Sequence, residues 1–252
     1  MKNILIYPVG CTPACLIAAR ELARAGIGVT DHITPEATHL LMDVPSFSGE
    51  GVLRSGASFP ELMKLLPEGI VLIGGKIPES VASAYPTMDI LRDDTYQFEN
   101  AAITAECALR MAAERITFTF RGAPVLIVGW GRIGKHLAFL LKAHGSRVSI
   151  LSRSPRHRAE AASMGMRAVA PEDLAKRLPE YRIIFNTAPA MMIPKDLGRL
   201  CPDSLKIELA SLPGMEGDDV VKANGLPGIL APESSGKLIA ATVLQLIKEE
   251  RL

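Results

Sequence analysis

The sequence predicts an α/β protein: a doubly wound parallel sheet of the Rossmann type in the second part, a smaller N-terminal α/β domain, and a long helix joining them. Two observations carry this. Short apolar runs ending in Gly, Pro or Ser alternate with amphipathic stretches of helical period, which is the pattern of βαβ units on a parallel sheet. At residues 125–128 one such run leads straight into Gly129-Trp130-Gly131-Arg132-Ile133-Gly134, which opens a helical stretch and is followed by another apolar run.

In the first part, residues 3–7, 39–44 and 70–73 read as strands and 15–25 as a helix closed by Gly26, with residues 45–51 a loop. Residues 94–115 read as one long helix whose apolar stripe is Phe98, Ala101, Ala102, Ala105, Ala108, Leu109 and Ala112. In the second part, strands are expected at 125–128, 148–151, 183–186 and 205–209. Helices are expected at 133–144, 160–164, 172–178 and 238–250. The domain organisation that follows is an N-terminal, substrate-side α/β domain over 1–93, a linking helix over 94–115 and a dinucleotide-binding domain over 116–232. A C-terminal helix over 233–252 returns to the N-terminal domain, with ligand lying at the carboxyl ends of the Rossmann strands.

Composition narrows the function. The chain has 252 residues, 48% hydrophobic and 22% charged, which is an ordinary globular balance. Lys and Arg number 28 against 27 Asp and Glu, so no basic excess is available to neutralise a nucleic-acid backbone. The opening residues lack the pattern of a signal peptide and no run is apolar enough to span a membrane, so a cytoplasmic protein is expected. Cys11, Cys15, Cys107 and Cys201 make no metal-ligand pattern and read as buried small apolar residues, so no metal is expected.

The glycine motif carries the chemistry. Gly129 permits the tight turn, Gly131 lets a pyrophosphate approach the backbone, and Gly134 permits close helix–strand packing, with phosphates at the positive end of the helix that starts near Arg132 and Ile133. Trp130 sits inside that loop. The next strand ends in Ser152-Arg153-Ser154, where a carboxylate would hold a free ribose 2′-hydroxyl. Serine hydroxyls and an arginine suit a 2′-phosphate instead, so NADP is the expected cofactor and NAD the alternative.

Several further motifs in order resemble the dehydrogenase component of dipicolinate synthase. They are Ser48-Gly49-Glu50-Gly51, Arg92-Asp93-Asp94, Ile103-Thr104-Ala105-Glu106, the glycine loop, Asn186-Thr187-Ala188-Pro189, Glu208-Leu209-Ala210-Ser211 with Pro213-Gly214, and Leu226-Pro227-Gly228-Ile229 leading to Ala231-Pro232. The resemblance implies NADP-linked oxidation of dihydrodipicolinate to dipicolinate, a pyridine dicarboxylate of spore-formers, and places Thr187, Ala188 and Pro189 on the cofactor. It leaves open as partners a small dicarboxylate substrate, a flavoprotein-like second component of the synthase and a second copy of the chain; nucleic acid and membrane are not expected. The chain departs from the family pattern at Pro8-Val9-Gly10, over 34–45, between Pro213-Gly214 and Leu226-Pro227, and at Glu208, where Asp is more usual. The alternative is therefore a shortened, diverged member, a non-catalytic NAD(P)-binding sensor or partner protein.

No catalytic pair stands out. Candidates for binding substrate carboxylates are Ser48, Gly49, Glu50 and Gly51 in one loop, Thr104 in the long helix, and Ser234 and Ser235 before the last helix, all offering hydroxyl or N–H donors. A D-2-hydroxyacid dehydrogenase would need a late histidine, but the five histidines are His32, His39, His136, His144 and His157. A shikimate-type enzyme would need a Lys–Asp pair in an Asn-Val-Thr loop, which is not seen.

Overall fold

A computed structural model describes residues 4–249. Two compact units are present: residues up to Asn100 together with those from Pro227 onward, and Ala101–Leu226.

The first unit is built on β1 (Leu5–Pro8), α1 (Pro13–Arg24), β2 (Gly28–Val29), β3 (His39–Leu41), a hairpin of β4 (Phe47–Gly49) and β5 (Val52–Leu53), α2 (Phe59–Met63), β6 (Val71–Gly74), α3 (Glu79–Ala82) and β7 (Thr87–Asp89). Its sheet is parallel in the order β2-β1-β3-β6-β7. His39, Leu40 and Leu41 are all buried because both faces of this central strand are covered. On one face Ile6, Leu41 and Ile73 pack under Ala18 and Leu22; on the other Leu40, Met42 and Leu72 meet Phe59 and Leu62. The segment expected to be a plain loop, residues 45–51, contains β4. Its register with β5 shifts between Phe47 and Gly49, and so short and irregular a strand leaves no alternating pattern to read.

The long helix α4 (Asp94–Ala113) spans the point where the two units divide. Its buried residues include Ala101, Ala105, Ala108 and Ala112, as the stripe predicts, but Phe98 is 52% exposed and Tyr96 is buried in its place. The apolar pattern alone does not distinguish which of the two rings faces inward.

The second unit carries β8 (Pro124–Val128), α5 (Arg132–Ala143), β9 (Arg147–Leu151), α6 (Pro155–Ser163), β10 (Arg167–Val169), α7 (Leu174–Arg177), β11 (Ile183–Asn186), α8 (Lys195–Gly198), β12 (Leu205–Glu208), β13 (Val220–Lys222) and, where the units divide, α9 (Leu226–Leu230). The six strands are parallel in the order β10-β9-β8-β11-β12-β13, the doubly wound order with its reversal between β8 and β11. Both of those strands lie deep in the sheet, and Val125 to Val128 and Ile183 to Asn186 are all buried.

The last helix, α10 (Pro232–Glu249), starts six residues before the expected Leu238. Proline at its first position and Glu233 beside it are first-turn residues that an apolar period does not register. It belongs to the first unit and packs on α1 so closely that a Cβ on Gly236 would lie 2.7 Å from the Ala14 carbonyl oxygen and 2.6 Å from Ile17 Cγ2.

The cysteines divide. Cys15, Cys107 and Cys201 are buried, whereas Cys11, expected inside, is exposed at the loop after β1. Burial and the Asp43 carboxylate push the Cys15 thiol up to about 12. Unfolded thiols ionise near 9.0, so this protection stabilises the fold below pH 9 and is lost as pH rises from there towards 12. A thiol reagent at neutral pH is expected to modify Cys11 first and the other three only after denaturation; equal rates for all four would contradict the packing.

Candidate functional site

The site grows from the reversal of strand order. Thr187, following β11, donates from both its backbone N–H (2.8 Å) and its Oγ1 (2.9 Å) to the carbonyl of Val128, so the ends of β8 and β11 are laced together. The chain must then turn sharply at Gly129, whose φ is +102° and whose absent Cβ would sit 2.7 Å from Thr187 Oγ1. Gly134, one turn into α5, lies against the same loop: a Cβ there would be 2.6 Å from the Gly129 carbonyl oxygen. Gly131 is the N-cap of α5, and the space its Cβ would occupy is open, with no atom within 4 Å. No side chain caps this helix, so its positive end faces that opening, an arrangement that favours an anion by ~0.3–1 kcal/mol.

These features border a cleft of about 520 Å³. Of the residues read from the sequence as cofactor contacts, Gly129, Trp130, Gly131, Ser152, Arg153, Ser154, Thr187, Ala188 and Pro189 line it. Arg132, Ile133 and Gly134 form the first turn of α5 behind the loop. His157, Met192, Val128 and Leu151 also line the cleft, and no sequence motif marks them as contacts. His157 enters because Ser154 caps α6, accepting from the His157 N–H at 3.3 Å, and so fixes where the first turn points.

Among the described residues no Asp or Glu lines the cleft. The two serines already have local work: Ser152 Oγ accepts from the Ser154 N–H at 3.2 Å and Ser154 caps α6, which leaves their O–H protons as donors. Arg158 donates to the carbonyls of Ser152 (2.8 Å) and Arg153 (3.0 Å) and so holds the loop shape. Arg153 is exposed and forms no ion pair among the described residues.

Trp130 is buried under the glycine loop, with Lys135 Nζ 5.6 Å from its ring centroid and Glu160 paired to Lys135 at 2.5 Å. The Lys135 ammonium holds the Glu160 carboxyl below the usual carboxylate range. The indole Nε1 lies beside Glu160 without completing a hydrogen bond among the described residues.

A second group, at the ends of β11 and β12, is visible in the sequence only as a landmark. Glu208, buried, accepts from Asn186 Nδ2 (2.6 Å) and the backbone N–H groups of Ala210 (3.0 Å), Gly214 (2.8 Å) and Met215 (3.0 Å). Asn186 in turn donates to the Ala188 carbonyl at 2.9 Å and accepts from its N–H at 3.2 Å. One carboxylate thus shapes both loops beside the cleft. No sequence pattern marks it, because its partners are backbone groups.

The expected substrate contacts fall in both units. Ser48-Gly49-Glu50-Gly51 form the end of β4 and the turn to β5, where Ser48 Oγ donates to the Leu53 carbonyl at 3.2 Å and Gly51 has φ +65°. Ser234 and Ser235 do not precede the last helix but lie in the first turn of α10; Ser234 is exposed, and Ser235 is buried with no hydrogen-bond partner for its Oγ among the described residues. Thr104 is buried in α4, within the second unit. Among the described residues no cluster of His, Cys, Asp and Glu could hold a metal, and no helix is long and apolar enough to cross a membrane.

A doubly wound sheet with this glycine loop, uncapped helix and cleft is the arrangement of a dinucleotide-binding domain, and together with the matches that follow it supports an NAD(P)-dependent oxidoreductase. Residues 95–194 match the family described as D-isomer specific 2-hydroxyacid dehydrogenase, NAD binding domain. The chain as a whole is similar to the A-type component of dipicolinate synthase: that of Bacillus subtilis (strain 168) is 26% identical over 230 residues, covering 83% of this chain and 77% of the relative. The crystal structure of the corresponding dipicolinate synthase component from Bacillus halodurans superposes with a TM-score of 0.83 at 21% identity, covering 97% of each chain. The crystal structure of the Bacillus subtilis component gives 0.80 at 22%, covering 99% of this chain and 97% of the other.

Proposed function

We propose that this chain is an NADP-dependent dehydrogenase of the dipicolinate synthase type, oxidising dihydrodipicolinate to dipicolinate. The similarity to the A-type component of that synthase over 83% of the chain, well beyond the dinucleotide-binding part, is the observation that carries the reading. The open space before Gly131 and the uncapped start of α5 fit a pyrophosphate, and the carboxylate-free turn at Ser152-Arg153-Ser154 fits a 2′-phosphate. A bound nicotinamide would supply the hydride acceptor, with the accompanying proton passing from the substrate ring to solvent. Aromatisation drives that oxidation, so the protein's task is to align the partners and keep both substrate carboxylates in place. The Bacillus subtilis relative is named as one of the synthase's subunits, and we take this chain also to work with a second, different polypeptide.

Mixing the protein with NADP and dihydrodipicolinate should raise absorbance of the reduced cofactor. Tight NADPH binding without turnover would favour instead the non-catalytic sensor or partner protein. By calorimetry NADPH should bind more tightly than NADH, and Arg153→Ala should remove most of that preference, about 1–3 kcal/mol for a charge-assisted contact. Equal affinities in the unaltered protein would defeat the assignment of NADP.

For the substrate we infer that one carboxylate takes the turn of residues 48–51 and the other the first turn of α10, where the unpaired Ser235 hydroxyl is in want of an acceptor. Ser234→Ala with Ser235→Ala should then weaken dicarboxylate binding and leave NADPH affinity unchanged. A double variant that binds dicarboxylate as the parent does would move the pocket elsewhere.

A further inference from the structure

The opposite end of the Rossmann sheet carries a second recess. Strands β8, β9 and β10 begin there at Pro124, Arg147 and Arg167, around a cavity of about 580 Å³ that shares no lining residue with the dinucleotide cleft. Its charged lining is Lys142, Arg147 and Arg167 against one carboxylate, Glu180.

The three cations are not equivalent. Lys142 Nζ donates to the Met164 carbonyl at 2.6 Å and so serves the C-terminal end of α6. Arg167 is paired with Glu180 at 2.9 Å. Arg147 donates from Nε to the Gly122 carbonyl at 3.0 Å and has no carboxylate partner among the described residues, which leaves its outer guanidinium nitrogens as donors toward solvent. The carbonyl ends of α5 and α6 contribute partial negative charge here, roughly half a charge each.

A second, independent feature lies in the same wall. Tyr181 is 4% exposed and its hydroxyl completes no hydrogen bond among the described residues, although it lies beside the buried Ser149. Buried hydroxyls are rarely left in that condition. Tyr181 is itself part of the unit's apolar core, so an unpaired phenol donor at the edge of that core and a guanidinium without a carboxylate partner lie on one recess, beside Pro124 and Val148.

We propose that this recess is a second binding site, for a small organic anion. A carboxylate or phosphate group takes the Arg147 guanidinium, an acceptor atom takes the Tyr181 hydroxyl, and the apolar part of the ligand covers Val148. The ligand is distinct from the dinucleotide and binds with or without it, because the two recesses have no residue in common.

The test is titration of the ¹⁵N-labelled full chain with benzoate, acetate and inorganic phosphate, the last separating phosphate from carboxylate as the recognised group. At least one should give saturable shifts confined to residues 147–149 and 165–167, unchanged when NADPH is present. Arg147→Ala should weaken that binding roughly tenfold. Tyr181→Phe should weaken it several-fold while leaving Tm equal or higher, because the hydroxyl removed is unpaired in the fold. The proposal is overturned if none of the three saturates at tens of millimolar, if the shifts fall on residues 129–134, or if Tyr181→Phe lowers Tm.

Discussion

Replacing Glu208 with alanine is expected to destabilise the Rossmann unit by ~3–5 kcal/mol, because several buried donors lose their acceptor at once. The carboxylate accepts four hydrogen bonds, three of them from backbone N–H groups that have no route to solvent where the carboxylate stands. Alanine leaves those donors and the Asn186 amide unmatched, and each unmet buried donor costs ~1–3 kcal/mol. Glu208→Gln should lie between, because its carbonyl keeps one acceptor oxygen while its NH₂, which only donates, stands where the other was. Urea denaturation measures the loss, and cofactor binding should fall with it because Asn186 no longer fixes the loop through Ala188. A variant as stable as the parent would mean that the carboxylate does not hold these loops.

Gly129→Ala should have the largest effect on the cofactor cleft. A φ of +102° is disfavoured for any residue with a Cβ, and the new methyl would stand 2.7 Å from Thr187 Oγ1 and 3.2 Å from the Ala188 N–H. Thr187 cannot simply turn away, since its hydroxyl and N–H both bond Val128. Backbone strain of ~1–3 kcal/mol and a shifted loop should lower Tm and weaken NADPH binding more than about tenfold. Gly131→Ala is the contrasting variant: its φ is −85° and its Cβ meets nothing, so Tm should hold while the methyl, entering the space proposed for the pyrophosphate, should weaken NADPH binding. Equal losses of Tm in both variants would contradict the division of roles between the two glycines.

The parts of this protein legible in its sequence are those governed by local rules. The strand from Pro124 to Val128 can be read because it lies deep in a parallel sheet and is apolar on both faces, and the glycine spacing beyond it because the backbone turn at Gly129 and helix packing at Gly134 each exclude a Cβ. The carboxylate-free turn at Ser152-Arg153-Ser154 is equally a matter of which side chains are present. Short strands such as Gly28–Val29 and Val220–Lys222 are not legible, since two or three residues carry no period and are strands only because a neighbour pairs with them. The true start of α10 is hidden for a related reason: Pro232 and Glu233 make a first turn without contributing to an apolar face.

The remaining decisions belong to tertiary structure. The sequence can name Glu208 as a landmark, but only the pairing of β11 with β12 brings it to Asn186 and lets it gather backbone donors from the following loop. It can class Cys11 and Cys15 together, yet packing exposes the first and buries the second. Nothing in it hints that Arg147 and Tyr181, 34 positions apart, share one recess. Composition and spacing thus determine the class of fold and the dinucleotide loop, because those rest on backbone geometry and side-chain type. Which polar groups end up paired, and which remain unpaired and free to bind something, depends on contacts between distant segments that no local pattern encodes.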